Sequence, residues 1–497
     1  MTEGLPVVTT SRGAVRGVVD DDVAIFRGIP YAAPPVGPLR FAAPAPVAAW
    51  DGVRDATAYG PTPTKPRYAP PFDAMLSDPI VPGDDVLNLN VWTPRPDGDA
   101  ALPVLVWIHG GAFRSGTGAV GTYDGRAFAR DGVVCVTINY RLGMDGFGLL
   151  PDAPDNRGLL DQVAALEWVQ GEIAAFGGDP DRVTIAGESA GAMSAVTLLA
   201  AERARGLFRG VIAQSGAGHH VQSRESAGRV AAELGRRLDV EPTAAGFATV
   251  DVDRFVQAQL DLSNEVSSTD RASWGALGLD GMPFEPVLDD ALVPRRPIAA
   301  LQDAAGAGAR LLIGTNEEEY RFWMVPLGIL PHVTAEALAP AAAVYGAGPE
   351  LAARYADEPT PGQGLEQLIT DWFFRVPALR AAEAPAAAGA GAWVYEFRWR
   401  SPVLDGQLGA AHAVEIAFAF DRLADESGWG MIGPDAPQPL ADEMHAAWVA
   451  FVRDGDPGWP AYVPDARAVR VFGGDAGAGV VEDDPRGARR AAWDGLR

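Results

Sequence analysis

The sequence predicts an α/β protein built on a central, mostly parallel sheet, and three observations carry that expectation. Short apolar runs such as Val104-Leu105-Val106-Trp107-Ile108 and Val133 to Asn139 have strand length and end in turn residues. They alternate with segments of helical period, clearest at Leu159 to Ala175, where Leu160, Val163, Ala164, Leu166 and Val169 recur at helical spacing. The strands are continuously apolar rather than alternating, as expected of a sheet with helices on both faces.

Each element follows from local pattern. Pro6 to Thr10, Gly13 to Val18 and Val23 to Phe26 read as short strands with turns. Residues 31–85 are proline-rich without sustained period and read as long loops. The strand at Val104 to Ile108 runs into His109-Gly110-Gly111. The helix over 159–175 is stopped by Phe176-Gly177-Gly178-Asp179-Pro180. Val183 to Ala186 is a short buried strand that enters Gly187-Glu188-Ser189-Ala190-Gly191, and a helical stretch then reaches about Glu202. Val211 to Gln214, Leu311 to Gly314 and Trp393 to Phe397 complete the expected sheet, and Leu440 to about Arg453 is helical. Ala382 to Ala392 is an Ala/Gly/Pro patch expected to be a surface loop. No internal repeat or clean linker interrupts the chain. The expectation is one catalytic domain over 1–497, with helical insertions at about 222–300 and 320–390.

Composition narrows the function classes. The 497 residues carry a formal net charge of −25, which repels phosphate backbones and argues against a nucleic-acid partner. Lys65 is the single lysine, and the Ala, Gly, Pro and Arg usage fits a GC-rich bacterial genome. The single cysteine, Cys135, lies in an apolar run, so no intrachain disulfide is expected and the thiol should be buried and inert. The N-terminus lacks a basic region followed by an apolar one, and no stretch of 18 apolar residues suggests a membrane span. The expected location is the cytoplasm.

Gly187-Glu188-Ser189-Ala190-Gly191 matches G-x-S-x-G, in which a serine sits on a tight strand-to-helix turn that small neighbours make possible. The helix that follows points N–H groups toward developing negative charge. A glycine turn carrying an ordinary serine is the plain alternative for this pattern alone. His109-Gly110-Gly111-Ala112-Phe113 ends an upstream strand, and glycines there let backbone N–H groups face a cavity unobstructed. The pair of motifs in one sheet is more specific than either alone.

With these residues in view the chain resembles the type-B carboxylesterases, a family that includes the cholinesterases. The similarity runs from about residue 6 to 462, through Phe26 to Ala32, Asp84 to Val91, His109 to Phe113, Asn139 to Gly143, and most densely Asn156 to Gly191. The resemblance implies the α/β-hydrolase fold and a serine hydrolase that cleaves small-molecule carboxylic esters through an acyl-enzyme, with no cofactor and no metal. It implies Ser189 as nucleophile. It implies Glu319 as triad acid, by alignment of Gly314-Thr315-Asn316-Glu317-Glu318-Glu319-Tyr320, where three successive glutamates leave a slip to Glu318 open. His412 is the base it implies, in His412-Ala413-Val414-Glu415-Ile416-Ala417-Phe418-Ala419-Phe420. The implied oxyanion donors are the N–H groups of Gly111, Ala112 and Ala190, with Gly110, Glu188 and Ser215 in support. Arg40 with Asp84, and Arg141 with Asp161, match the family's structural ion pairs.

Val86 stands where animal relatives have a cysteine, and residues 61–83 contain no tryptophan, which argues against choline esters. His219-His220 looks like a metal pair, but adjacent side chains diverge and no further ligands accompany them. His445, in a helical run, reads as surface or packing. Trp274, Phe284, Phe322, Trp323 and Met324 lie in segments able to line a pocket, although core packing is the commoner role. A binding protein on the same scaffold would have lost the serine or histidine, and both are retained. The triad does not distinguish esters from amides, carbamates or lactones. The residues also leave acyl preference, alcohol preference and oligomeric state open. An unperturbed His412 would lose its proton near ~6.5.

Overall fold

Residues alternate along each central strand between two buried layers. Val104, Val106 and Ile108 enter one apolar core, while Leu105 and Trp107 enter the other. Leu311 and Ile313 likewise face one side of the sheet and Leu312 the other. A strand that must bury both faces cannot spare polar positions, which explains the unbroken apolar runs. The computed structural model describes residues 5–497 apart from 97, 99, 269, 270, 304, 307, 388, 389 and 475–478.

The described strands are β1 (Val7–Thr9), β2 (Ala14–Arg16), β3 (Val18–Asp20), β4 (Val23–Pro30), β5 (Val53–Asp55), β6 (Asn88–Thr93), β7 (Leu102–Ile108), β8 (Val134–Ile138), β9 (Gly178–Glu188), β10 (Gly210–Gln214), β11 (Arg310–Asn316), β12 (Ala392–Phe397), β13 (Ala468–Phe472) and β14 (Val481–Asp483). Strands β1, β2 and β5 form a small sheet. The main sheet runs β14-β13-β12-β11-β10-β9-β7-β8-β6-β4-β3. It is parallel from β13 through β8 and antiparallel at both margins. Helices cover both faces, as an α/β-hydrolase fold requires. They include α1 (Arg157–Glu172), α2 (Ala190–Ala200), α3 (Arg224–Leu238), α4 (Val252–Ser268), α5 (Val376–Ala387) and α6 (Gln438–Asp454).

Parallel register aligns the carboxyl ends of four strands. Ile108 pairs with Gly187, Glu188 with Gln214, and Gln214 with Gly314. Segments far apart in sequence therefore leave the sheet along one edge, where open α/β sheets bind ligands.

Three expectations are corrected. The segment from Ala382 is helical to Ala387, because Ala381, Ala382 and Ala384 pack into the core; residues 388 and 389 lie outside the described residues. Arg40 pairs with Asp145 at 2.8 Å, whereas Asp84 is exposed. Strand β9 begins at Gly178 rather than Val183, since pairing with Leu102 of β7 carries it back through polar residues. Arg141 pairs with Asp161 at 2.7 Å as expected, and Cys135 is fully buried. Among the described residues no helix is long and apolar enough to cross a membrane.

Burial holds several carboxyls protonated. Desolvation raises Glu285 and Glu415 to about 8 and Glu366 to about 7. These folded values lie above the unfolded ones, so near neutrality the folded protein keeps protons that the unfolded chain has lost. Stability therefore falls as pH rises from the unfolded carboxylate range through about 8. The urea midpoint should be lower at pH 9 than at pH 7, and Glu285→Gln should shrink that drop. A midpoint that holds or rises over this interval would contradict the assignment.

Candidate active site

Ser189 occupies the turn between β9 and α2, with φ 56° and ψ −124°. A non-glycine residue with positive φ is costly, and the surroundings hold it there. Its N–H donates to the Gln214 carbonyl at 2.9 Å, and its own carbonyl accepts from Met193 N–H at 2.9 Å. A Cβ on Gly191 would collide with the Ile108 carbonyl, so only glycine lets α2 approach β7 this closely. A Cβ on Gly110 would stand 2.7 Å from the Glu188 carbonyl oxygen and 3.1 Å from Ser189 Cβ, which sets the turn after β7 directly against the serine.

That turn has positive φ at three successive residues, Gly111, Ala112 and Phe113. Arg114 and Ser115 N–H groups donate back to the Gly111 carbonyl, and Gly143 N–H donates to the Phe113 carbonyl. The N–H groups of Gly111, Ala112 and Ala190 have no acceptor among the described residues. His109 anchors the turn from beneath: its ring stacks on Tyr140 at 4.4 Å, and its Nδ1 lies 2.8 Å from the Gly110 carbonyl. Burial lowers the His109 pKa to about 3, so the ring is neutral and structural.

Beyond β11 the chain turns so that Glu319 Oε1 accepts from Asn316 N–H at 2.8 Å, while Glu319 Oε2 lies 2.7 Å from His412 Nδ1. A carboxylate only accepts, so Nδ1 carries a proton. Glu318 points elsewhere, engaging Arg321 at 2.7 Å, Arg400, and Ala410 N–H at 2.9 Å. Of the three successive glutamates, it is therefore Glu319 that faces the imidazole. Glu317 lies 3.8 Å from Arg398.

His412 Nε2 lies 3.0 Å from Glu188 Oε1. No hydrogen bond joins it to the Ser189 hydroxyl among the described residues; its contact is with the neighbouring residue in the chain. Two carboxylates flanking the imidazole favour its protonated form. Burial opposes that charge, but Glu188 and Glu319 together outweigh it and raise the His412 pKa well above its ordinary value. The ~6.5 midpoint of a free imidazole is thus corrected upward.

Ser215, at the end of β10, has φ 53° and a buried hydroxyl without a hydrogen-bond partner among the described residues. Sequence reasoning passed over Glu415. Its carboxyl accepts from Gln214 Nε2 at 3.0 Å and Asn316 Nδ2 at 2.6 Å, tying the ends of β10 and β11 together beneath the site. Its position three residues after His412 was the available signal. Phe374 was also missed; its ring lies 4.8 Å from His412, with Trp323 at 5.0 Å and Phe322 at 6.0 Å. Trp274, Met324 and Phe284 are all buried, and Phe284 also lines a cleft near the turn after β7. The His220 ring lies tilted against Phe373 at 4.3 Å, and His445 is buried against Phe128.

A model of the carboxylesterase family matches residues 4–470. The chain is 36% identical to phenmedipham hydrolase from Pseudarthrobacter oxydans, over 96% of this chain and 97% of that protein. It is equally 36% identical to para-nitrobenzyl esterase from Bacillus subtilis, over 97% of both. Carboxylesterase EST55 of Geobacillus stearothermophilus superposes with a TM-score of 0.84 at 38% identity, covering 98% of this chain and 99% of that one.

Proton NMR of the His412 ring should give a titration midpoint above ~6.5, and Glu188→Gln should move it downward by removing one flanking charge. A midpoint that Glu188→Gln leaves in place would contradict the two-carboxylate account.

Proposed function

This chain belongs to the carboxylesterase family and is a carboxylic ester hydrolase, and we propose that it works through a Ser189-His412-Glu319 triad and a backbone oxyanion hole. The observation that carries this reading is the His412 Nδ1–Glu319 Oε2 contact of 2.7 Å beside the strained Ser189 turn. Glu319 fixes the imidazole tautomer that leaves Nε2 to act on the serine, and it stabilises the imidazolium that forms.

In the reaction His412 passes its Nε2 proton to the Glu188 carboxylate 3.0 Å away, and the freed Nε2 turns to the hydroxyl of Ser189, the next residue in the chain. Ser189 Oγ then attacks the ester carbonyl while His412 takes its proton. The tetrahedral oxyanion accepts hydrogen bonds from the N–H groups of Gly111, Ala112 and Ala190, which have no other partner to give up. One such donor contributes ~3–4 kcal/mol to transition-state stabilisation in comparable sites. The alcohol leaves with the proton held by His412, and water repeats the cycle on the acyl-enzyme. Glu188 and Ser215 support the imidazole side of the site, and Gly110 permits the approach of the donor turn.

Ser189→Ala should lower kcat on p-nitrophenyl acetate by roughly 10³- to 10⁶-fold with an unchanged circular dichroism spectrum. Glu319→Gln should cost roughly 10⁴-fold in kcat. Glu318→Gln should act chiefly on stability, because its partners are Arg321 and Arg400. Equal losses of kcat in the two glutamate variants, or an unaffected Ser189→Ala enzyme, would refute the assignment.

A further inference from the structure

Arg114 directly follows the turn that carries the proposed oxyanion donors, and its N–H closes that turn on Gly111 at 3.1 Å. Its side chain is half-buried and lines a narrow, partly open cleft together with Thr64, Lys65, Gln259, Ser263 and Phe284. Buried charges are ordinarily paired. The chain carries 65 acidic residues against 40 basic ones, so an acidic partner is easily found. Arg141, Arg321, Arg375 and Arg398 each have one. Among the described residues no carboxylate lies within ion-pair distance of Arg114, and no acceptor takes a hydrogen bond from its guanidinium.

The other cation of the cleft is already neutralised. Lys65 is paired with Asp78 and also donates to the Gly116 carbonyl at 3.1 Å. The remaining lining groups are uncharged, so one positive charge in the cleft is uncompensated. Burial lowers the Arg114 pKa, and this is opposed by the Tyr68 phenol rather than by an acid. Because Arg114 both closes the donor turn and lines the cleft, the cleft adjoins that turn.

We propose that Arg114 is a specificity-determining residue that binds a carboxylate on the far end of the substrate, so that the preferred substrates are esters bearing a free carboxylate, such as half-esters of dicarboxylic acids. The planar guanidinium matches a carboxylate with two parallel hydrogen bonds, and partial exclusion of water strengthens the pairing. The overall charge of −25 works against an anionic ligand at long range. Recognition therefore depends on this one local, desolvated cation. The inference rests on the proposed site for its location, since the carboxylate is held while the ester carbonyl faces the donor turn.

The test compares p-nitrophenyl hydrogen glutarate, which has a free carboxylate, with its neutral methyl ester, methyl p-nitrophenyl glutarate. The wild-type enzyme should prefer the acid in kcat/KM. Arg114→Gln should reduce that preference, taken as the ratio of the two kcat/KM values, at least tenfold. Arg114→Lys, which keeps the charge but loses the fork, should retain part of it. A wild-type enzyme that hydrolyses the neutral ester but shows no preference for the acid would overturn the subsite while leaving the catalytic reading intact. A ratio that Arg114→Gln and Arg114→Lys leave unchanged, with both esters affected alike, would overturn it too, because that is what a purely structural arginine produces.

Discussion

The contact between Glu319 and His412 joins residues 93 positions apart, and everything at the site depends on the sheet that makes it possible. Neither side chain belongs to a regular element. Glu319 lies in the turn after β11, braced by Asn316 N–H, and the His412 N–H donates to the Glu319 carbonyl at 3.2 Å. These loops meet because parallel pairing brings the ends of β7, β9, β10 and β11 level. The carboxyl of Glu415 then ties β10 to β11 below them. Local backbone strain at Ser189, Ser215 and the Gly111–Phe113 turn is carried by this rigid frame.

The second carboxylate on His412 adds a constraint of a different kind. In the proposed mechanism Glu319 prepares the imidazole for proton transfer, whereas Glu188 favours its charged form and lies against the nitrogen that must reach the serine. The same pair therefore raises the His412 pKa and, in that mechanism, keeps Nε2 from the serine until the ring turns. The fold places Glu188, which Nε2 contacts, and the proposed nucleophile Ser189 together on the one strained bend.

Much of this was legible in the residues. Strands β7, β8 and β10 announced themselves by unbroken apolarity, and α1 by its helical period and its Gly-Gly-Asp-Pro stop. The serine turn was legible because its glycines are sterically required. Other features depend on partners distant in sequence. Nothing near Arg40 distinguishes Asp145 from Asp84. The Ala-rich run from Ala382 reads as a loop by composition, yet it packs as the end of α5 because small side chains suit a close helix–sheet contact. Strand β13 and the edge strand β14 are short and carry charged residues, so no period reveals them. The Glu188 contact and the unpaired state of Arg114 are properties of the assembled neighbourhood. Each is defined by which groups do or do not come near.

The central claim is that one serine is activated by this assembly. Treating the protein with a p-nitrophenyl alkylphosphonate and measuring its intact mass tests that claim most directly, because phosphonylation needs an activated hydroxyl and donors for the developing oxyanion together. The account predicts one adduct per chain, located on the peptide that contains Ser189, with esterase activity lost in proportion to labelling. An unlabelled protein whose activity persists, or an adduct on another residue that accompanies inactivation, would contradict it.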